Sequence, residues 1–177
     1  MIAADSAGQN DATLSGEPRW QPQAGQVGGA IQLDGVDDCV ITPFILDPAD
    51  GPFSVFAWVK GGAPGQVVVS QIGSADWLKA DAEGKLMTEF QGSGRFGGPL
   101  HSQTIITDGQ WRRVGLVWDG SQRTLYVDGA IAAQDTQSAP PGSTNGLFIG
   151  CGKAMEPGTF FSGLIDDVRI YNRAVEP

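Results

Sequence analysis

The segment GQWRRVGLVWDGSQRTLYVDGAIAAQ, residues 109–134, leaves the backbone few choices. Strand-like runs flank Asp119-Gly120-Ser121 and again flank Asp128-Gly129. An acid followed by glycine is a pair that lets a chain reverse between two strands, because glycine takes positive φ without strain. The pattern predicts a meander of three antiparallel strands from Trp111 to Gln134. In KADAEGKLMTEF the Glu83-Gly84 pair predicts another hairpin by the same reasoning.

The rest of the chain repeats this grammar. Helical periodicity is absent apart from a single turn near Asp47 to Asp50, whereas strand-like segments recur about every 8 to 12 residues with turn signals between them. The predicted strands are Ala30 to Leu33, Asp38 to Thr42, Phe53 to Lys60, Gln66 to Ile72, Trp77 to Ala80, Lys85 to Phe90, Ser102 to Thr107, Trp111 to Trp118, Thr124 to Val127, Ala130 to Gln134, Gly146 to Ile149 and Phe160 to Tyr171. So many short strands exceed one flat sheet, so the expected fold class is all-β, a two-sheet antiparallel jelly-roll sandwich. FSVFAWVK is apolar on both faces, which places it centrally in its sheet. Trp58, Val114, Leu116, Trp118, Leu125 and Val127 are the expected core.

Length and charge narrow the function. The 177 residues, 41% hydrophobic, suit one domain spanning 1–177 that buries roughly 70% of its unfolded surface. A net charge of -9 with scattered Lys and Arg argues against nucleic acid and anionic membrane as partners. No apolar run approaches the roughly 20 residues that would insert into a bilayer. The start, MIAADSAGQND, lacks the order of a signal peptide. Cys39 and Cys151 either pair, if two strands bring them side by side, or serve as two small buried hydrophobes.

One stretch poses a chemical question. In FFSGLIDDVRIYNRA, strict alternation puts Leu164, Asp166, Val168 and Ile170 on one face and Ile165, Asp167, Arg169 and Tyr171 on the other. An acid then sits in an apolar row, where an unpaired charge is expensive.

AIQLDGVDDCVITP, FSVFAWVK, GQWRRVGLVWDGSQRTLYVDGAIAA, GLFIGCG and FFSGLIDDVRIYNRA, in that order, resemble the laminin G-like branch of the concanavalin A-like lectin/glucanase superfamily. The opening DSAGQNDATLSGEPRWQPQAGQVGGA resembles that family's N-terminal loop, an Asp-x-x-Gly-x-Asn-Asp turn followed by a Gly-Gly entry into a strand. The resemblance also implies one more strand, with an aromatic and an acid, before this loop, and a module taken from a longer multidomain polypeptide. Departures are Cys39 where an aromatic is common, Arg112-Arg113 where two histidines are common, and Cys151 in a glycine run.

The resemblance implies a structural calcium ion held by Asp166 and the N-terminal loop. Calcium takes six to eight oxygens at about 2.3 to 2.6 Å. Asp5, Asn10 and Asp11 are side-chain donors, with loop carbonyls turned inward near Gly8, so the expected ligand set is Asp5 and Asn10 joined to Asp166. The alternatives are that Asp166 pairs with Arg169 or Arg173, or that a local shift in register leaves it exposed. LDGVDD adds Asp34 as a marginal ligand, although an Asp-Gly turn explains that residue without a metal.

Catalytic patterns are sparse. His101 is the single histidine, with no Gly-x-Ser-x-Gly elbow and no zinc ligand set around it. Asp81 and Glu83 have an i, i+2 spacing, and retaining glycosidases need two carboxyl groups roughly 5 to 5.5 Å apart. Both acids nevertheless read as a solvated hairpin end, and the Glu-x-Asp-x-x-Glu arrangement of the family's glucanases is missing. The expectation is a non-catalytic module that binds a glycan or an extracellular protein, placed outside the cell or on its surface beside neighbouring domains of the same chain. Its expected contacts are Trp77, which stacks on a sugar or lies in the core, Arg95 and Phe96 in the glycine-rich QGSGRFGGPL, and His101. The competing readings are a structural or adhesion spacer without a ligand of its own and a degenerate glycoside hydrolase or lyase domain.

Overall fold

A computed structural model describes residues 2–92 and 98–177. Among them lie fifteen strands: β1 (Ile2–Ala3), β2 (Ala12–Ser15), β3 (Arg19–Gln21), β4 (Ala30–Asp34), β5 (Cys39–Ile41), β6 (Phe53–Gly61), β7 (Val67–Gln71), β8 (Asp76–Ala80), β9 (Lys85–Thr88), β10 (Leu100–Ile105), β11 (Arg112–Trp118), β12 (Gln122–Val127), β13 (Ala130–Thr136), β14 (Leu147–Ile149) and β15 (Ser162–Tyr171). They form two antiparallel sheets, one in the order β1-β2-β5-β14-β7-β8-β9-β10 and the other β13-β12-β11-β6-β15-β4-β3. The sandwich matches the expected fold class. Each of the twelve predicted strands is present, whereas the short β1, β2 and β3 add strands in the first thirty residues where none is predicted.

Turn chemistry places the meander as its residues dictate. Asp128 and Gly129 both take positive φ, 52° and 82°, and join β12 to β13, while Gly84 at 80° joins β8 to β9. β6 lies between β11 and β15 and sends Phe53, Val55, Ala57 and Val59 into the core. On its other face Phe56 is 2% exposed, because its ring lies over Gly115 of β11, where a Cβ would come within 2.3 Å of Phe56 Cδ1. The Arg113 guanidinium covers the same ring at 5.3 Å.

Between the sheets Phe53, Trp77, Phe90 and Trp118 form one aromatic cluster, with ring centroids 4.7 Å apart for Phe53–Trp77 and 5.9 Å for Phe90–Trp118. Val114, Leu116, Leu125 and Val127 join them in the core as expected. Trp58 does not. It is half-buried, paired with Arg113 and Asp166, because its phase in β6 is that of Phe56 and not of Val59.

A second, smaller apolar cluster gathers Cys39, Phe148, Cys151 and Phe160, with Ile41, Ile72 and Met155 against it. Here the cysteines are bonded, with Cα atoms 5.7 Å apart. β5 and β14 are paired neighbours, which settles the alternatives left open by the sequence.

Candidate functional site

The acid of the last strand lies on the face opposite to the one that alternation predicts. Against β6, Asp166 pairs with Trp58 and Arg169 with Phe56, so three steps along β15 match two along β6. The extra residue is a bulge at Asp167, whose φ is 48°. Before the bulge Ile165 points into the core; after it Val168 and Ile170 do. Asp166 is therefore on the outer face of the sheet, not between Leu164 and Val168 in an apolar row.

It is still only 7% exposed, because the loop after β3 folds over it. Its Oδ2 accepts the Gln26 N–H at 2.7 Å and the Val27 N–H at 2.8 Å. Gly25 makes the fit, since a Cβ there would stand 2.6 Å from Asp166 Oδ2. Arg169 pairs instead with Asp167, Nε to oxygen at 2.9 Å, and Arg173 lies over the Tyr171 ring. The local register shift among the alternatives is present, but it leaves the acid buried under a loop.

The N-terminal loop is closed on itself. Asp5 Oδ1 accepts from Ala7 N–H at 2.9 Å and Oδ2 from Asn10 N–H at 3.0 Å, while Asp11 Oδ1 accepts from Asp5 N–H at 2.8 Å. These backbone bonds, Ala7 first, hold the Asp5 carboxyl below its ordinary value. The loop forms one wall of a cleft of about 620 Å³ whose other wall carries Asp167, Val168, Arg169, Ile170 and Tyr171. Asp167, and not Asp166, shares that cleft with Asp5 and Asn10. Of the expected set, Asp5 and Asn10 line this cleft and Asp166 does not, its Oδ2 accepting from the loop after β3 instead.

Asp166→Ala is expected to cost about 2–3 kcal/mol, since it strands two backbone donors that a buried carboxylate now satisfies. Asp166→Asn keeps an acceptor at that place and is expected to cost under about 1 kcal/mol. Urea unfolding of both variants checks this. An Asn variant as damaged as the Ala variant would mean that the charge matters and not the acceptor.

A different acidic group does converge. Carboxylate oxygens of Asp34, Asp37 and Asp38 lie within 4.8 Å of one another, so the three could hold a cation. Asp38 is 2% exposed and accepts from Glu17 N–H at 2.6 Å and Asp34 N–H at 3.0 Å. Burial, with the charges of Asp34 and Asp37 adding to it, pushes the Asp38 carboxyl up. Asp34 Oδ1 accepts from Val36 N–H at 2.8 Å, as an Asp-Gly turn requires.

The expected ligand contacts separate. Trp77 is 0% exposed and packs on Phe53 and Phe90, so the expectation that it stacks on a sugar is corrected to the core alternative. Arg95 and Phe96 lie outside the described residues. His101 is half-exposed and sets Nδ1 3.3 Å from Asp81 Oδ2. Asp81 is not a solvated hairpin acid: it is 6% exposed, and its Oδ1 accepts from Glu83 and Lys85 N–H, both at 2.9 Å. Burial opposes its ionisation, but the Lys85, His101 and Glu83 bonds outweigh it and hold the carboxyl low. Glu83 is exposed.

Two features went unread in the sequence. Arg123, in SQRTLYV, is 0% exposed. It meets both oxygens of Asp135, Nε at 2.7 Å and Nη2 at 2.8 Å, and donates to the main-chain oxygens of Phe90 and Gly98. Trp20, on β3, is 66% exposed. Its contact with Gly29 is the signal, and local pattern does not reveal it.

Comparison with known proteins agrees with the architecture. The chain is similar to domain 4 of AbnA, an extracellular GH43 arabinanase of Geobacillus stearothermophilus solved with arabinotriose, at 20% identity and a TM-score of 0.71 over 97% of this chain and 87% of that one. It is similar to the binding domain of Paraclostridial Mosquitocidal Protein 1 at 14% identity and a TM-score of 0.73, covering 98% of this chain but 48% of that one. It is also similar to part of a Trypanosoma rangeli sialidase, at 16% identity and a TM-score of 0.64, over 94% of this chain and 28% of that one. At such identities the likeness shows the fold. No curated protein is significantly similar in sequence. Residues 34–177 match the laminin G-like family model described as concanavalin A-like lectin/glucanases superfamily, and the chain belongs to that family.

Proposed function

We propose that the chain is a non-catalytic binding module for a neutral glycan, carried by an extracellular or cell-surface multidomain protein. The observation that carries this reading is the nearly end-to-end likeness to an arabinanase domain solved with a bound trisaccharide. Three features of the chain support it. Asp81, the acid best placed for sugar hydrolysis, is occupied by backbone donors at a hairpin. The Cys39–Cys151 bond suits an oxidising compartment. The net charge of -9 favours uncharged over anionic sugars.

Titration calorimetry against neutral oligosaccharides, with arabinotriose first, tests the reading. Saturable binding without release of reducing ends is the expected outcome. Hydrolysis would make the domain an enzyme, and absence of binding across the panel would leave a spacer or adhesion role. For calcium, the geometry favours Asp34, Asp37 and Asp38 over Asp5, Asn10 and Asp166. A calcium-dependent rise in melting temperature is expected to vanish in Asp37→Asn and to persist in Asp166→Asn; the opposite pattern would restore the ligand set implied by the family.

A further inference from the structure

Trp20 is the most exposed aromatic side chain among the described residues, at 66%. It stands on the three-residue edge strand β3, paired with Ile31 of β4. Its ring is nevertheless placed. A Cβ on Gly29 would come within 2.3 Å of Trp20 Cζ2 and 2.7 Å of Cη2, so part of the indole occupies the volume that any side chain at position 29 would fill. One part of the ring rests on the glycine and the rest stands in water.

The support beneath it is itself held. Gly25 N–H donates to Gly28 O at 3.2 Å, closing the loop just before Gly29. Gln26 and Val27 N–H donate to the buried Asp166. The acid of the last strand thus fixes the loop that backs the tryptophan, a use for a buried carboxylate that requires no metal.

We infer that Trp20 is a stacking platform for a neutral sugar ring, with Gly29 and Asp166 as its positioning residues; the inference rests on the glycan-binding reading. A large planar ring with restricted motion offers contact area at low entropic cost, and an indole also donates through Nε1. The supporting loop carries Gln23 and Gln26, both exposed amides able to bond hydroxyls. Gln21 Nε2 donates to Gln32 Oε1 at 2.8 Å, which leaves each amide a further group for a sugar. The chain from Glu17 to Asp38 carries one cation, Arg19, against Glu17, Asp34, Asp37 and Asp38, so an uncharged sugar suits it better than a uronic or sialic acid.

The test titrates arabinotriose, xylotriose, cellotriose and galactotriose into the wild type, Trp20→Ala, Trp20→Phe and Gly29→Ala. Near-ultraviolet circular dichroism and melting establish that each variant is folded. The expected result is binding by the wild type to at least one trisaccharide and a loss of about tenfold or more in Trp20→Ala. A smaller loss is expected in Trp20→Phe, and a loss in Gly29→Ala, which keeps the indole but displaces it. If the wild type binds and Trp20→Ala binds equally well, the platform is wrong while the module reading stands. If the wild type binds none of the four, both are overturned.

Discussion

Replacing Cys39 and Cys151 together by alanine is expected to lower the unfolding free energy by about 4–5 kcal/mol. The bond joins residues 112 apart in sequence, so its loss returns to the unfolded chain the freedom of a very long loop. Alanine is the informative replacement, because both sulfurs are buried among Phe148 and Phe160 and serine would add the cost of unpaired hydroxyls. A domain of ordinary stability, about 5–15 kcal/mol, would lose about a quarter of it or more. Guanidinium unfolding of the oxidised wild type and the double variant measures the difference. A loss below about 1 kcal/mol would mean that the sandwich holds its register without the bond.

Arg123→Met is expected to be nearly as damaging, at about 3–5 kcal/mol. The cost comes from what stays behind: the Asp135 carboxylate, ion-paired to the buried guanidinium, and the carbonyls of Phe90 and Gly98. Adding Asp135→Leu removes the stranded charge, so the double variant is expected to be more stable than Arg123→Met alone. The same pair sets an acid limb. Hydrogen bonds from Arg123 hold the Asp135 carboxyl below its ordinary value, against the opposing effect of burial. A lowered folded pKa adds stability that is complete above about pH 4 and is lost as pH falls toward the lowered value. The wild type is expected to show this slope in melts between about pH 4 and 2, and Arg123→Met to lack that component.

Strands were legible in the sequence where a period of two ran beside a glycine turn. β11 to β13 carry both signals, and Asp128-Gly129 falls at the predicted reversal. β1 to β3 carry neither, being two to four residues long and written as IA, ATLS and RWQ; pairing across the sheet makes them strands, and pairing is not a local property. Alternation puts Asp166 in one row with Val168 and Ile170, but a one-residue bulge at Asp167 reverses the faces that follow it, and Asp167 is not the glycine that would announce a positive φ. Sequence pattern left Trp77 between core and sugar stacking and gave Trp20 no role, for a related reason. Trp77 and Trp20 both follow short polar stretches, and only the layer packed on each ring separates a core residue from a platform. Arg123 has the phase of the core residues Leu125 and Val127, but the groups that satisfy a buried guanidinium, Asp135 and the main-chain oxygens of Phe90 and Gly98, reach it from other parts of the chain.

Arg123 grips the segment between β9 and β10 by the oxygens of Phe90 and Gly98, atoms that every residue possesses. The two feet of that segment are anchored without reference to the letters written between them. One guanidinium on β12 therefore ties both ends of the connection between β9 and β10 to the sheet, and its loss frees the two ends together.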